Sequence, residues 1–156
     1  NILVSFALLP ALGTFFVAAG AYDPQSLLMI LPIGLITVAI LHANNTRDVE
    51  TDLQAGLGTI TTSVSLMNAK AIYTFEIFAP YALALLYVVL LGQPWTLLAV
   101  VLTLPLALRN VRTMIQAEDD LPYRGIQRLD QTTAQLQMIF GLLYALGFFL
   151  GSWLGV

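Results

Sequence analysis

Residues 27–52 read LLMILPIGLITVAILHANNTRDVETD, an apolar run followed directly by a polar segment. The run Leu27–Leu41 contains no charged residue, whereas the segment His42–Asp52 contains four. A helix needs about 20 mostly apolar residues to cross a hydrocarbon core about 30 Å thick. This stretch therefore predicts a membrane helix that leads into a polar, chemically active segment.

The composition of the whole chain agrees with a membrane environment. The 156 residues are 58% hydrophobic and only 10% charged, whereas soluble domains carry about 25% charged residues. The chain has no cysteine, which excludes disulfides, thiolate metal sites and cysteine nucleophiles. A single histidine, His42, is too few for a histidine-based metal centre.

The apolar runs predict an all-α fold, a polytopic transmembrane helical bundle with about five spans. The fourth span is short and is expected to continue as a helix through Arg109 and Arg112, whose long side chains can reach the interface. The five predicted spans are Ile2–Tyr22, Leu27–Leu41, Ile72–Leu91, Trp95–Leu108 and Leu136–Trp153.

Residues 1–156 are expected to form a single transmembrane domain. The chain begins at Asn1 and enters an apolar run at once, without an initiator methionine. We therefore expect the amino-terminal part of the domain to be missing.

The basic residues predict an orientation in the membrane. With five crossings, the two long polar connectors, near residues 42–70 and 109–133, lie on one side, and that side carries every basic residue. By the positive-inside rule this side is cytoplasmic. The lipid bilayer is the expected environment, and no nucleic-acid partner is expected. The six basic residues are Arg47, Lys70, Arg109, Arg112, Arg124 and Arg128.

Asn44, Asp48 and Asp52 are spaced four apart, which would place them on one side of a continuing helix. Two carboxylates on successive turns repel each other, but Mg²⁺ would bind them, since it takes oxygen ligands from carboxylates, phosphates and water. Arg47 could hold a diphosphate oxygen. The alternative is a solvated polar loop whose Asn and Asp side chains cap helices.

The segment His42–Asp52, with Ala55-Gly56 and Thr59 after it, resembles the second aspartate-rich motif of the UbiA superfamily of intramembrane prenyltransferases. Its N-N-x-R-D-x-x-x-D-x-x-x-G form is similar to the branch that makes menaquinone and vitamin K2. Residues 104–107 and 129–147 are similar to the last two helices of that branch.

The resemblance implies a nine-helix fold, of which these spans would be the last five. It also implies a first aspartate-rich motif, which this chain lacks, so the chain alone is expected to be inactive. The missing amino-terminal helices, or a second copy of the chain, are the candidate protein partners.

The resemblance implies Mg²⁺-dependent transfer of a prenyl group from a prenyl diphosphate to an aromatic acceptor. Asp48 and Asp52 would be the catalytic residues and the metal ligands. Asn44, Asn45 and Arg47 would bind the diphosphate or support the metal. The branch implies 1,4-dihydroxy-2-naphthoate as the acceptor.

Four residues within or near the spans are weaker candidates. Gln131 and Gln135, near the cytoplasmic end of the last span, could contact the aromatic acceptor. Glu76 lies inside the third span, where a carboxylate is a functional candidate, although it could equally lie at the interface near Lys70. His42 is expected at the interface or in support of the site.

Two other readings remain open. The acceptor could instead be 4-hydroxybenzoate, homogentisate, a chlorophyllide or haem. The chain could also be a non-catalytic membrane subunit or half of a carrier. Carriers place their ionisable groups near the bilayer midplane, whereas nearly all of those in this chain fall in connectors, which favours chemistry near the membrane surface.

Overall fold

The structure, a computed structural model, describes residues 3–118 and 125–156. Within these ranges every regular element is helical, so the predicted all-α fold is confirmed. α1 begins with six residues of π-helix, and α6 begins with nine residues of 3-10 helix. The helices are α1 (Leu3–Ala19), α2 (Pro24–Arg47), α3 (Val49–Gln54), α4 (Ile60–Ser63), α5 (Leu66–Leu91), α6 (Trp95–Ile115) and α7 (Leu129–Leu154).

Four helical segments are long and apolar enough to cross a membrane: α2 with its continuation α3, then α5, α6 and α7. α1 is apolar but shorter. The predicted polytopic transmembrane bundle is therefore confirmed, with four or five crossings.

The helix ends differ from the predicted spans because hydropathy detects only the apolar part of a helix. α5 begins at Leu66, where the Ser65 hydroxyl accepts a hydrogen bond from the Asn68 N–H at 3.3 Å. α7 likewise begins at Leu129 and includes a polar first turn. α1 ends early because Gly20 adopts a left-handed conformation with φ of 68°. The predicted continuation of the fourth span through the two arginines is confirmed.

α2 is the central helix of the bundle and packs against α1, α5 and α7. α6 lies across the outer side and packs against α5 and α7. The first half of α6 buries Leu97, Val100 and Thr103, which are three residues apart. That spacing places them on one side of a 3-10 helix, which has three residues per turn.

Gly147 permits a close backbone approach between α6 and α7. A Cβ atom at this position would lie 2.9 Å from the Leu97 Cα and 2.9 Å from the Thr96 carbonyl oxygen, both of which are backbone atoms. The Thr96 hydroxyl donates a hydrogen bond to the Gly147 carbonyl at 2.5 Å. Small residues allow membrane helices to associate by backbone contact in this way.

We predict that Gly147→Ala lowers the thermal stability of the protein in detergent. The added methyl group meets backbone that cannot rotate away, and overpacking of this kind costs about 1–3 kcal/mol. Gly141→Ala is the matched control, because the nearest atom to its Cβ would be Ile33 Cδ1 at 4.0 Å. Equal melting temperatures for the two variants would contradict the close approach.

Five of the six basic residues lie at the same end of the bundle. This is the end where α2 and α6 finish and where α5 and α7 begin. Lys70 donates a hydrogen bond to the Ala117 carbonyl there. The sixth, Arg124, is outside the described residues, as is Ile2, the first residue of the first predicted span.

Candidate active site

Asn44, Asp48 and Asp52 lie along one side of a nearly continuous helix, as their spacing predicts. α2 ends at Arg47, and Asp48 joins it to α3 with φ of −97° and ψ of 7°. The helical hydrogen bonds nevertheless continue, from the Asp48 N–H to the Asn44 carbonyl at 3.0 Å and from the Asp52 N–H to the Asp48 carbonyl at 2.9 Å. We call these three residues the aspartate stripe.

The aspartate stripe ends at a helix stop. Gly56 has φ of 66°, and the Leu57 N–H donates to the Asp52 carbonyl at 2.8 Å. This six-residue closure with glycine in the left-handed region is a Schellman motif. The chain then folds back, and the Thr61 hydroxyl in α4 donates to the Asn45 carbonyl at 2.9 Å. The connector thereby holds the backbone of the motif in place.

Arg47 is the centre of the charged cluster. Its Nε and Nη2 atoms donate to the two carboxylate oxygens of Asp48, each at 2.8 Å. Nη2 also donates to Asn44 Oδ1 at 2.5 Å, and Nη1 donates to Asp130 Oδ2 at 2.7 Å. The guanidinium therefore offsets two carboxylates and fixes their positions. These contacts use four of its five N–H groups, so one N–H on Nη1 has no partner among the described residues and could donate to a diphosphate oxygen.

Asp130 is a member of the cluster that sequence reasoning missed. It lies in the first turn of α7, where an acidic residue also interacts favourably with the helix dipole. Its neighbours Gln131 and Gln135, which were the predicted contacts in this region, are both exposed. Asp130 could have been found from the sequence, because it is an acidic residue at the start of a long span and is expected at the same end of the bundle as the aspartate stripe.

A buried polar layer lies beneath the charged cluster, between α2, α5 and α7. His42 Nδ1 and Glu76 Oε2 are 3.0 Å apart, and the side chains are only 2% and 7% exposed. The Thr133 hydroxyl donates to the Leu129 carbonyl at 2.6 Å, so it accepts the hydrogen bond from the Tyr73 hydroxyl, also at 2.6 Å.

Glu76 is therefore buried against His42 and does not lie at the interface near Lys70. The His42 Nε2 atom is also buried and has no hydrogen-bond partner among the described residues. The imidazole and the Tyr73 ring meet edge to face, with centroids 6.3 Å apart. This contact and the pair with Glu76 fix the position of the ring two residues before Asn44, the first residue of the aspartate stripe.

The aspartate stripe supplies the oxygen ligands that Mg²⁺ prefers, but too few of them to complete its coordination. Within residues 3–118 and 125–156, no three His, Asp or Glu side chains are close enough together to hold a metal ion. Mg²⁺ usually binds one or two carboxylates and takes its other ligands from phosphates and water. Asp48 and Asp52, with the Asn44 amide, therefore fit one side of a magnesium–diphosphate site.

A large apolar groove opens between α1, α2 and α7, and we call it the α1–α2–α7 groove. Its volume is about 880 Å³, which lies within the usual range for ligand sites. Its wall includes the aromatic side chains of Phe15, Tyr144 and Phe148. Thr37 and Gln137 also line this wall, and their side chains are hydrogen-bonded to each other.

A smaller cavity of about 430 Å³ lies against α6 beside Arg109 and Arg112. Both arginines are exposed, near the end of the bundle that carries the other basic residues. Their positions suit interfacial anchors.

Comparison with known proteins identifies the family. The model of the UbiA prenyltransferase family matches residues 1–124. The UbiA prenyltransferase domain-containing protein 1 of Gallus gallus is 32% identical over 153 residues, which cover 96% of this chain and 42% of that protein. The protein of the same name from Homo sapiens is 31% identical, with coverage of 96% and 41%.

A Drosophila melanogaster homologue of the same protein is 33% identical over 149 residues, which cover 92% of this chain and 38% of the homologue. The chain spans about two-fifths of the length of these relatives. The match covers the aspartate stripe, Arg47 and most of the helical bundle. This chain therefore belongs to the UbiA prenyltransferase family.

Proposed function

We propose that this chain is the carboxy-terminal part of an integral membrane enzyme that transfers a prenyl group from a prenyl diphosphate to an aromatic acceptor. The observation that carries the proposal is the aspartate stripe, with Arg47 beside it, at the polar end of a membrane helix that also lines an apolar groove. The domain would be completed by about four helices that precede residue 1 and supply the first aspartate-rich motif.

The polar end of the site would bind the diphosphate. Asp48, Asp52 and Asn44 would hold Mg²⁺, which neutralises charge on the leaving diphosphate and eases the break of the allylic C–O bond. Arg47 would donate its remaining Nη1 N–H to a diphosphate oxygen while Asp130 continues to hold it at 2.7 Å. Asn45, whose backbone is fixed by Thr61, would contact the diphosphate from the adjacent side.

The apolar end of the site would bind the prenyl chain and exclude water. The α1–α2–α7 groove is lined mainly by apolar side chains and extends along α2 away from the aspartate stripe. An allylic cation formed at its polar end would be shielded from hydrolysis, so it could alkylate an electron-rich ring.

We propose 1,4-dihydroxy-2-naphthoate as the acceptor, in menaquinone or vitamin K2 synthesis. The N-N-x-R-D form of residues 44–48 supports this choice over 4-hydroxybenzoate, homogentisate, a chlorophyllide or haem. We also propose that the aspartate stripe faces the cytoplasm, because the described basic residues all lie at its end of the bundle.

The test is an assay of the full-length protein in membranes, with a prenyl diphosphate and each acceptor in turn. We expect a prenylated 1,4-dihydroxynaphthalene, formed with release of diphosphate and loss of the acceptor carboxylate as CO₂, that disappears when EDTA removes Mg²⁺ and returns when Mg²⁺ is added in excess. If product forms only with a different acceptor, the proposed reaction class stands and the proposed acceptor is wrong. A folded protein that makes no product with any acceptor would support the non-catalytic subunit instead.

A further inference from the structure

A polar contact between Thr37 and Gln137 lies at the end of the α1–α2–α7 groove that is nearest the aspartate stripe, since they are the last lining residue of α2 and the first of α7. Gln137 on α7 donates a hydrogen bond from its Nε2 atom to the Thr37 hydroxyl on α2 at 2.5 Å. Both side chains are half-buried and line the groove. The Tyr144 hydroxyl, also in this wall, donates to the Met29 carbonyl at 3.0 Å, so its hydrogen is already used.

The hydrogen bonds of Thr37 determine which way the Gln137 amide faces. The Thr37 hydroxyl has a single hydrogen, which it donates to the Ile33 carbonyl at 3.0 Å. It can therefore only accept from Gln137, and the amide NH₂ group must face it. The Gln137 Oε1 atom then points away from Thr37, and no hydrogen bond joins it to the described residues.

A half-buried carbonyl oxygen in apolar surroundings is a strong acceptor for a hydroxyl group, because no other partner satisfies it. Phe6 of α1 also lines the groove and offers an aromatic surface at this end, since its neighbour Ala7 lies against Gly34, three residues before Thr37. The ligand that matches both features is an aromatic ring that carries a hydroxyl group.

The position of this contact agrees with such a ligand. Thr37 precedes Asn44 by seven residues on α2, which is about 10 Å along the helix axis. A ring bound at Gln137 would therefore lie at the end of the groove that faces the aspartate stripe. We propose that Gln137, held by Thr37, recognises a hydroxyl group of the aromatic acceptor and so helps to determine acceptor specificity. This inference rests on the proposed function, since it names a residue for the acceptor of that reaction.

The test measures ligand binding without catalysis, so that it stands apart from the test of prenyl transfer. The full-length protein in phosphatidylcholine nanodiscs would be titrated anaerobically with 1,4-dihydroxynaphthalene and, separately, with 1,4-dimethoxynaphthalene. We expect the wild type to bind the diol about tenfold more tightly than the dimethyl ether, as one hydrogen bond to this half-buried carbonyl allows. Gln137→Leu should remove most of this preference.

Two exposed glutamines of the same helix are matched controls. Gln131→Leu and Gln135→Leu should keep the preference of the wild type for the diol. Thr37→Val should weaken the preference because it removes the group that orients Gln137, and Thr37→Ser should restore it. The Thr37 series also tests the proposal if Gln137→Leu fails to fold.

Three results would overturn the proposal. The first is a Gln137→Leu variant with an unchanged preference for the diol. The second is a Gln137→Leu variant whose thermal stability changes while its affinity for both naphthalenes stays the same, which would mean that the rest of the full-length chain fills the groove. The third is displacement of the diol by added diacylglycerol in the wild type but not in Gln137→Leu, which would identify a lipid hydroxyl as the group recognised. Loss of prenyl transfer with normal diol recognition would leave the inference intact and contradict only the proposed function.

Discussion

Asp48→Asn in the full-length protein is expected to reduce prenyl transfer by a factor on the order of 10² to 10³, the effect of removing one group that stabilises developing charge. The asparagine keeps the shape of the side chain and one oxygen that can accept from Arg47. It removes the negative charge that would bind Mg²⁺. The measurement is the rate of product formation at saturating substrate and Mg²⁺.

The protein should remain folded in this variant, because the Asp48 side chain is 38% exposed and that of Arg47 is 25% exposed. Ion pairs with this exposure contribute about 1 kcal/mol or less. Glu50→Gln is the matched control, since Glu50 is an exposed acid in the adjacent short helix α3. It should keep nearly the full rate. Turnover of Asp48→Asn close to that of the wild type would contradict the assignment of the aspartate stripe.

Glu76→Ala is expected to lower the free energy of unfolding by about 1–3 kcal/mol, the typical cost of leaving a buried polar group without its hydrogen-bond partner. His42 would lose its partner while its ring stays enclosed between α2 and α5. The His42 Nε2 atom already lacks a partner among the described residues, so the imidazole would then have no hydrogen bond from either nitrogen. Thermal unfolding in detergent measures the effect.

Phe75→Ala is the control for the loss of side-chain volume in α5, because Phe75 is 65% exposed and faces away from the core. The double variant His42→Leu/Glu76→Leu should lose less free energy of unfolding than His42→Leu and Glu76→Leu lose together, because it leaves no unpaired polar group behind. A melting temperature of Glu76→Ala equal to that of the wild type would show that the pair contributes little to the fold.

The spans could be predicted from the sequence because lipid-facing and core-facing residues are both apolar in a membrane helix. Their ends could not, since the first turns of α5 and α7 are polar and hydropathy does not detect them. The 3-10 winding of residues 95–103 was also beyond prediction. It accompanies a close contact with α7 at Gly147, which depends on residues about fifty positions away.

The local part of the candidate site followed from spacing alone. Asn44, Asp48 and Asp52 are four apart, so a continuing helix places them together whatever the rest of the fold does. The long-range partners did not follow, because Asp130 is 83 residues from Arg47 and Glu76 is 34 residues from His42. Gln137 was missed for the same reason, because its partner Thr37 is 100 residues away along the chain.

The 3-10 segment of α6 has a consequence for the fit of the protein in the bilayer. The apolar part of this helix, residues 95–108, is only 14 residues long and as an α-helix would extend about 21 Å. A 3-10 helix rises about 2.0 Å per residue instead of 1.5 Å, so nine such residues lengthen the apolar part to about 25 Å. The tighter winding thus reduces the hydrophobic mismatch of the shortest apolar run among the four long spans.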